Sequence, residues 1–231
     1  MLQIIIPAAG RGSRFQGSNF VEPKPLISWD GKNMIQHVID NFKNEEVSIS
    51  LIKRHGQNFT VDQSIKVYEI DYITEGPAST VNITRENINL DQELIVINCD
   101  QIIKDWNQEL FLSYARKFDS VLGCFISNSN KNSYVKVDDS NHVTEVKEKV
   151  VISNLATNGL HYWKKARYFF ESYDEMVKNN DRTNGEFYVA PTFNYLIKNN
   201  YKIGIYLFNQ HFPVGTPEDL EKYLNDESNK N

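Results

Sequence analysis

The chain has 231 residues, a length that suits one sizeable α/β domain with its own core. Its formal net charge of -5 at pH 7 excludes broad electrostatic binding to nucleic acid or to an anionic membrane, and no apolar run approaches the ~20 residues that span a bilayer. Both cysteines, Cys99 and Cys124, lie in apolar runs, which is typical of reduced thiols rather than of a disulfide framework. We therefore expect a soluble, cytoplasmic, single-domain protein, residues 1–231, with a frayed polar tail at 225–231.

Apolar runs bounded by turn residues alternate with amphipathic segments over the first 126 residues. The predicted strands are Ile4–Ile6, Val47–Ile52, Ile65–Ile70, Glu93–Asn98 and Val121–Ile126. The predicted helices between them are Met34–Phe42, Ala78–Asn87 and Asp105–Phe118. Strands separated by helices of this length indicate βαβ units and a mainly parallel sheet.

The pattern becomes more antiparallel after residue 130. The predicted strands are Tyr134–Val137, Val143–Val146, Leu160–Trp163 and Ile203–Phe208, and the predicted helices are Lys165–Lys178 and Tyr188–Lys198. A last helix begins at Pro217, with Thr216 as its N-cap. We therefore predict an α/β fold with a Rossmann-like mixed, mainly parallel sheet flanked by helices.

A glycine-containing loop follows the first predicted strand. Gly10-x-Gly12 lies beyond the carboxyl end of that strand, where open α/β sheets bind ligands. Small residues let backbone N–H groups approach phosphate oxygens, and Arg11 and Arg14 can add charge-assisted hydrogen bonds. A dinucleotide fingerprint would need glycine where Phe15 stands, and the Gly-Lys-Ser/Thr of a Walker loop is missing. On this loop alone, a turn that merely tolerates glycine is an equal alternative.

The second motif surrounds Lys24. In the stretch Glu22–Leu26, prolines on both sides of this lysine restrict the backbone around it. A surface lysine needs no such restriction, whereas a lysine directed at a phosphate benefits from it. The combination of a strand, Gly-x-Gly-x-Arg and Pro-Lys-Pro-Leu resembles the signature of the sugar-phosphate nucleotidyltransferases, or nucleotide-sugar pyrophosphorylases. It is most similar to short bacterial members of the capsular-polysaccharide type.

The resemblance implies an activity and a nucleotide-binding half, residues 1–125. A nucleotidyl group would pass from a nucleoside triphosphate to a phosphorylated small metabolite, with release of pyrophosphate and with Mg²⁺ as cofactor. Arg14 would stabilise the departing pyrophosphate, and Lys24 would bridge phosphates at the reaction centre. Asp100 ends an apolar strand; by itself it suits a helix cap or a turn, and the resemblance makes it the metal ligand. The nucleotide-binding residues implied are Ala8, Ala9, Gly10, Arg11, Gly12 and Ser13 around the triphosphate, and Glu75, Gly76, Pro77 and Ala78 facing the nucleobase through backbone groups.

An acceptor-binding half, residues 126–224, follows from the same resemblance. In it a Glu-Lys pair contacts the acceptor, with the lysine reaching its phosphate, and a later glutamate contacts a hydroxyl. The implied acceptor-binding residues are Glu148, Lys149, Asn158, Gly159, Arg182 and Glu186. The chain departs from the family pattern at two positions, because Val150 replaces the usual proline and Pro213 replaces an Asp that serves as second metal ligand. Mg²⁺ accepts one or two carboxylates with waters, so Asp100 alone is physically sufficient.

The nucleobase and the acceptor remain open. CTP or UTP is favoured, and the acceptor classes considered are a sugar phosphate, a polyol phosphate, phosphocholine and a phosphorylated amino acid derivative, in capsule or surface polysaccharide synthesis. The partners are small molecules, without nucleic acid or membrane, and a homo-oligomer is compatible with this family. Two alternatives are a glycosyltransferase, disfavoured because Asn98-Cys99-Asp100 is no Asp-x-Asp, and a non-catalytic nucleotide-binding module.

Overall fold

Thirteen strands and six α-helices form residues 1–228, the part of the chain that the computed structural model describes. The strands are β1 (Leu2–Pro7), β2 (Ser28–Trp29), β3 (Lys32–Asn33), β4 (Val47–Arg54), β5 (Lys66–Ile70), β6 (Leu94–Ile97), β7 (Gln101–Ile103), β8 (Ser120–Ile126), β9 (Ser133–Val137), β10 (Val143–Glu148), β11 (Leu155–Trp163), β12 (Ile203–Leu207) and β13 (His211–Pro213). The helices are α1 (Met34–Phe42), α2 (Pro77–Asn82), α3 (Gln108–Ala115), α4 (Ala166–Lys178), α5 (Phe193–Lys198) and α6 (Pro217–Ser228).

Nine of the strands form one mixed sheet in the order β10-β9-β11-β6-β1-β4-β5, with β8 paired to β11 and β12 paired to β8. β1 is parallel to both β4 and β6, and β4 is parallel to β5. β11 runs antiparallel to β6, β8 and β9, which explains the change of pattern after residue 130. The predicted α/β fold, with a mixed sheet flanked by helices, is confirmed.

Strand β1 is buried on both faces. Ile4, Ile5 and Ile6 have no exposed surface, which is typical of a parallel strand covered on two sides. Ile4 and Ile6 pack in one apolar cluster with helices α1 and α3, and Ile5 packs in the opposite cluster with α2, α4 and α5. The sheet therefore lies between two layers of helices, and its edges carry the loops.

Two helices begin at their predicted first residues, and a capping side chain precedes each. The Asn33 side chain accepts the backbone N–H of Gln36 at 2.9 Å, so α1 starts at Met34 and covers the predicted segment. The Thr216 hydroxyl accepts the N–H of Asp219 at 3.2 Å ahead of α6. Both predicted helix starts are confirmed.

Two predicted helices of the first half are shorter in the structure. Asn107 accepts the N–H of Leu110 at 3.0 Å and caps α3, which therefore starts inside the predicted segment Asp105–Phe118. The predicted helix Ala78–Asn87 is divided, because α2 is followed by a separate 3-10 turn.

Helix α5 begins five residues later than the predicted Tyr188–Lys198. A 3-10 turn over Ala190–Thr192, which contains Pro191, precedes it. Tyr188 consequently lies in irregular chain before the helix, and its hydroxyl accepts a hydrogen bond from Lys149.

Two short antiparallel pairs were not predicted. One is β2 with β3, and the other sets β13 against β7, directly after Asp100. Helix α6 joins a third apolar cluster that includes Phe15 and Ile27, which follow Arg14 and the Lys24–Leu26 turn in the chain. Its members are Phe15, Ile27, Trp29, Met34, Val214, Leu220 and Tyr223. The C-terminal helix thus supports both N-terminal motifs.

The expected frayed tail is wrong over residues 225–228. Helix α6 continues to Ser228, whose hydroxyl donates to the Leu224 carbonyl at 2.7 Å, and the Glu227 carboxylate accepts a hydrogen bond from Lys104. Residues 229–231 of that tail lie outside the described part of the chain. Within residues 1–228, no helix combines the length and apolarity needed to cross a membrane.

Candidate active site

The centre of the site is an ion pair between Lys24 and Asp100. Lys24 opens a 3-10 turn, Asp100 lies between β6 and β7, and the lysine ammonium donates to the carboxylate Oδ2. Their side chains are only 15% and 13% exposed. Burial lowers the pKa of Lys24, but the Asp100 carboxylate raises it and leaves it above its usual range. Burial raises the pKa of Asp100, yet Lys24 and Arg14 bring it below its usual range, so both groups are charged at neutral pH.

The glycine loop lies against this pair. Gly12 has a φ of +63°, and a Cβ atom there would lie 3.3 Å from the Cβ of Lys24. A Cβ atom on Gly215 would lie 2.7 Å from Asp100 Oδ2 and 3.8 Å from Arg14 Nη1, which places both groups around the same point. The structure therefore brings together Arg14, Lys24 and Asp100, the three residues predicted to be catalytic. Their catalytic roles stay predictions.

A cavity of about 390 Å³ opens beside these three side chains. On the glycine-loop side it is lined by Ala8, Gly10, Gly12, Ser13, Arg14, Lys24, Pro77 and Asp100. Two predicted triphosphate ligands, Ala9 and Arg11, are not among its lining residues. Ala9 is buried in a core cluster, and Arg11 is exposed.

The segment predicted to face the nucleobase, Glu75 to Ala78, forms backbone hydrogen bonds with Phe187. The Phe187 N–H donates to the Glu75 carbonyl at 2.8 Å, and the Ala78 N–H donates to the Phe187 carbonyl at 3.0 Å. Gly76 has a φ of +133°, and a Cβ atom there would lie 2.5 Å from that carbonyl oxygen. Only Pro77 of this segment lines the cavity. Tertiary pairing thus uses the Glu75 carbonyl and the Ala78 N–H, and the predicted contact of this segment with a base stays a prediction.

Glu148 and Gly159 reach the cavity from the acceptor half. The Ser133 hydroxyl donates to the Glu148 carboxylate; burial raises the pKa of this carboxyl above its usual range, although that hydrogen bond opposes the shift. Gly159 lies at a register shift of β11 with a φ of +82°, and its carbonyl accepts the Asn98 N–H at 3.2 Å. Asn158, by contrast, is 1% exposed and does not line the cavity, so its predicted contact with the acceptor is not supported.

The other three predicted acceptor ligands also lie outside the cavity lining. Lys149 donates to the Tyr188 hydroxyl and lies 4.4 Å from the centre of its ring. Arg182 pairs with Glu75 at 2.8 Å and stacks on Phe187. Glu186 is exposed and contributes to a raised pKa of Tyr188, of which burial is the main cause.

Tyr188 itself lines the cavity, and sequence reasoning missed it. The sequence places it in the first turn of the predicted helix Tyr188–Lys198, where an aromatic ring is typical of packing. Sequence reasoning also missed the loop over residues 127–132, of which Ser127, Ser129, Lys131 and Asn132 line the cavity. Their polar composition was a weak signal, because any exposed turn has it.

Residues 4–127, more than half of the chain, match the family described as the MobA-like NTP transferase domain. The chain belongs to this family. The bifunctional protein GlmU of Methanocaldococcus jannaschii is 30% identical over 235 residues, which cover 99% of this chain and 55% of that protein. The chain thus spans about half the length of this curated relative. The resemblance to sugar-phosphate nucleotidyltransferases is confirmed.

Solved structures agree on the fold. The nucleoside-diphosphate-sugar pyrophosphorylase from Vibrio cholerae RC9 matches with a TM-score of 0.85 at 22% identity, over 96% of this chain and 99% of that chain. A UDP-glucose pyrophosphorylase complexed with UDP-glucose matches with a TM-score of 0.80 at 15% identity, over the whole of both chains. At these identities the likeness concerns the fold alone, which is that of the nucleotide-diphospho-sugar transferases.

Beside Arg14 and Lys24, the site offers a divalent cation the carboxylate of Asp100. Among residues 1–228, no group of three or more His, Cys, Asp or Glu side chains could hold a metal. Asp100 Oδ1 accepts from the Gln101 amide at 3.1 Å, and Pro213 lies opposite Gln101 in β13, where the family pattern has a second acid. Because Mg²⁺ commonly takes one or two carboxylates together with substrate phosphates and water, Asp100 would suffice as the protein ligand of such an ion.

Proposed function

We propose that the protein is a Mg²⁺-dependent nucleotidyltransferase that joins CTP or UTP to a phosphorylated small metabolite and releases pyrophosphate. The observation that carries this proposal is the Lys24–Asp100 pair beside the Gly10–Arg14 loop, at the carboxyl ends of β1 and β6. A sugar phosphate or a similar compound is the acceptor we favour, and the activated product would serve capsule or surface polysaccharide synthesis.

The reaction needs no general base from the protein. The second pKa of a phosphate monoester is near ~6, so the acceptor is largely a dianion at pH 7 and can attack the α-phosphorus directly. The protein has to hold that oxygen in line and to neutralise charge on the leaving pyrophosphate. Arg14 and Lys24 offer this positive charge, together with backbone N–H groups of the glycine loop.

Triphosphate binding requires Lys24 to exchange partners. In the free protein its ammonium contacts the Asp100 carboxylate, and phosphate oxygens would take over this contact. Asp100 is then free to hold Mg²⁺, which would supply further neutralisation of the phosphates when bound. On the acceptor side, Glu148 and Tyr188 line the cavity and can bind polar groups of the metabolite.

A pyrophosphate-release screen tests this proposal. CTP, UTP, GTP and ATP are each combined with a panel of sugar phosphates, polyol phosphates, phosphocholine and phosphorylated amino acid derivatives, with Mg²⁺ present. We expect acceptor-dependent release with CTP or UTP and loss of release with EDTA. Triphosphate binding without pyrophosphate for any acceptor would indicate a binding module instead. Consumption of nucleotide sugars without pyrophosphate chemistry would indicate a glycosyltransferase.

A further inference from the structure

The two cations predicted to bind the acceptor are both engaged elsewhere. The Lys149 ammonium lies over the Tyr188 ring and donates to its hydroxyl, and Lys149 does not line the cavity. The Arg182 guanidinium pairs with Glu75 and donates to the Gly185 carbonyl at 3.1 Å. In the free protein neither of these two cations therefore lines the cavity, and a positive charge already placed there for an acceptor phosphate comes from another residue.

Lys131 is in the position to provide it. Of the cationic residues within 1–228, those that line the cavity are Arg14, Lys24 and Lys131. Arg14 and Lys24 surround Asp100 on the side of the glycine loop, whereas Lys131 comes from the loop between β8 and β9 in the acceptor half. Its side chain is 48% exposed, so its ammonium is accessible to a ligand.

Two carboxylates interact electrostatically with Lys131: that of Asp219, within ion-pair distance, and that of Glu218 farther away. The ammonium lies 3.6 Å from Asp219 Oδ2, which is longer than a charge-assisted hydrogen bond. The same oxygen accepts the Thr216 hydroxyl at 2.8 Å, and Asp219 also lines the cavity. A pair of this length at an exposed site contributes little to stability, so it is readily exchanged for a ligand.

The loop that carries Lys131 is tied to the rest of the acceptor half. The Tyr134 hydroxyl donates to the Ser129 carbonyl at 2.8 Å, and the Asn132 amide donates to Ser127 Oγ at 3.2 Å. The Asn132 carbonyl accepts the Lys149 N–H at 3.0 Å, directly after Glu148. These bonds hold the loop beside the buried Glu148 carboxylate, which also lines the cavity.

We propose that Lys131, rather than Lys149, binds an anionic group of the acceptor, with Asp219 as the counter-ion that it leaves when the acceptor enters. That the bound anion belongs to the acceptor rests on the proposed function. Asp219 competes with the acceptor for the ammonium. Loss of Lys131 therefore weakens anion binding, and loss of the Asp219 charge strengthens it.

Inorganic phosphate is the probe for this site. The protein is saturated with α,β-methylene-CTP or α,β-methylene-UTP and Mg²⁺, which occupies Arg14 and Lys24, and phosphate is titrated by calorimetry. We expect Lys131→Met to raise the phosphate Kd about 5- to 10-fold, the loss of roughly one charge-assisted contact. Lys149→Met should change it less than about 2-fold, and Asp219→Asn should lower it. Asparagine retains an oxygen for the Thr216 hydroxyl.

Lys136→Met is the matched control. Lys136 lies on β9, is half exposed, pairs with Glu145 at 3.2 Å and does not line the cavity. The Lys136→Met substitution removes one positive charge from the same half of the protein as Lys131→Met does, and it should leave the phosphate Kd unchanged. Thermal melts of all variants report folding, and Lys131→Gln replaces Lys131→Met if the latter melts early.

The outcomes separate the two proposals. A phosphate Kd unchanged in Lys131→Met, a loss confined to Lys149→Met, or undetectable phosphate binding by the natural sequence each overturns the role of Lys131. Phosphate binding through Lys131 without pyrophosphate release in the screen would instead remove the proposed function and leave an anion site. If neither nucleotide analogue binds, the titration is repeated without nucleotide, and the same comparison of variants decides.

Discussion

The two ends of the cavity were assembled in different ways. At the end near the glycine loop, Arg14 and Asp100 follow β1 and β6, which are adjacent and parallel. Because parallel neighbours end at the same edge of a sheet, strand order brings these side chains together. At the acceptor end, antiparallel strands and loops leave several side chains a choice of partner, and Lys149 and Arg182 have taken partners away from the cavity. The order of parallel strands makes it predictable which side chains at their ends lie close together. The partners that side chains in loops choose cannot be predicted in this way.

The largest expected effect concerns the parallel end. We expect Lys24→Met and Asp100→Asn each to lower the rate of pyrophosphate release by about 10³-fold, because each removes charge next to the reacting phosphates. The control is Lys32→Met, which breaks the exposed 2.6 Å pair with Asp40. Steady-state kinetics and thermal melts on all three variants provide the measurement. Near-normal release from Lys24→Met would contradict the assignment of the centre.

A smaller loss is expected where the C-terminal segment touches the centre. In Gly215→Ala the new Cβ would lie 2.7 Å from Asp100 Oδ2, so the carboxylate has to move. We expect kcat to fall by about 10²-fold, since a displacement of about 1 Å at a reacting centre has effects of that size. Rates and melting temperatures should be measured together.

Gly204→Ala is the matched control for Gly215→Ala. It introduces a Cβ 2.9 Å from the ring of Phe118, a partly buried residue that packs against the core away from the cavity. Such overpacking costs about 1–3 kcal/mol, so this variant should melt earlier with kcat unchanged. A Gly215→Ala protein with full activity would show that Asp100 tolerates the displacement.

We expect the stability of the protein to depend on pH through Glu148, at the acceptor end of the cavity. Burial holds the pKa of Glu148 above its usual range, so the unfolded chain ionises at lower pH than the folded protein. The folded state is therefore most favoured below the unfolded pKa and becomes less stable as pH rises through the folded pKa. Glu148→Gln should raise the melting temperature at pH 8 by roughly 2–4 °C, with the gain shrinking towards pH 4.

Melting curves of the natural sequence and of Glu148→Gln across pH 4 to 8 test this sign. Glutamine can still accept the Ser133 hydroxyl, so the comparison isolates the charge. A variant that melts earlier than the natural sequence at pH 8 would mean that the ionised carboxylate is stabilised by its surroundings.

The smallest effect is expected for Arg182. Its guanidinium pairs with the exposed Glu75 and lies 3.9 Å from the Phe187 ring centre, outside the cavity lining. We expect Arg182→Met to change kcat/KM by less than about 3-fold and to cost about 1 kcal/mol or less in urea unfolding. An acceptor KM raised more than tenfold would restore the phosphate-binding role that the resemblance implies.

Local sequence signals were sufficient for much of the fold. The apolar Ile4–Ile6 run predicts a strand of a mainly parallel sheet, the spacing over Met34–Phe42 predicts α1, and Thr216 marks the start of α6, and the structure confirms all three. Longer helices were overestimated where a cap such as Asn107 stood inside an amphipathic stretch. Capping and periodicity depend on neighbours in the chain, so they can be read from it.

The amino-acid sequence alone determined the family, the sheet class and the motifs that carry Arg14, Lys24 and Asp100. Only the tertiary structure decided which side chains of the acceptor half face the cavity. In the structure, Phe187 forms hydrogen bonds with the backbone of Glu75 and Ala78. Tyr188 lines the cavity, and so does Lys131, whereas the expected Lys149 contacts Tyr188 instead. Each of these outcomes is a competition between partners distant in the chain, and no local pattern records which partner wins.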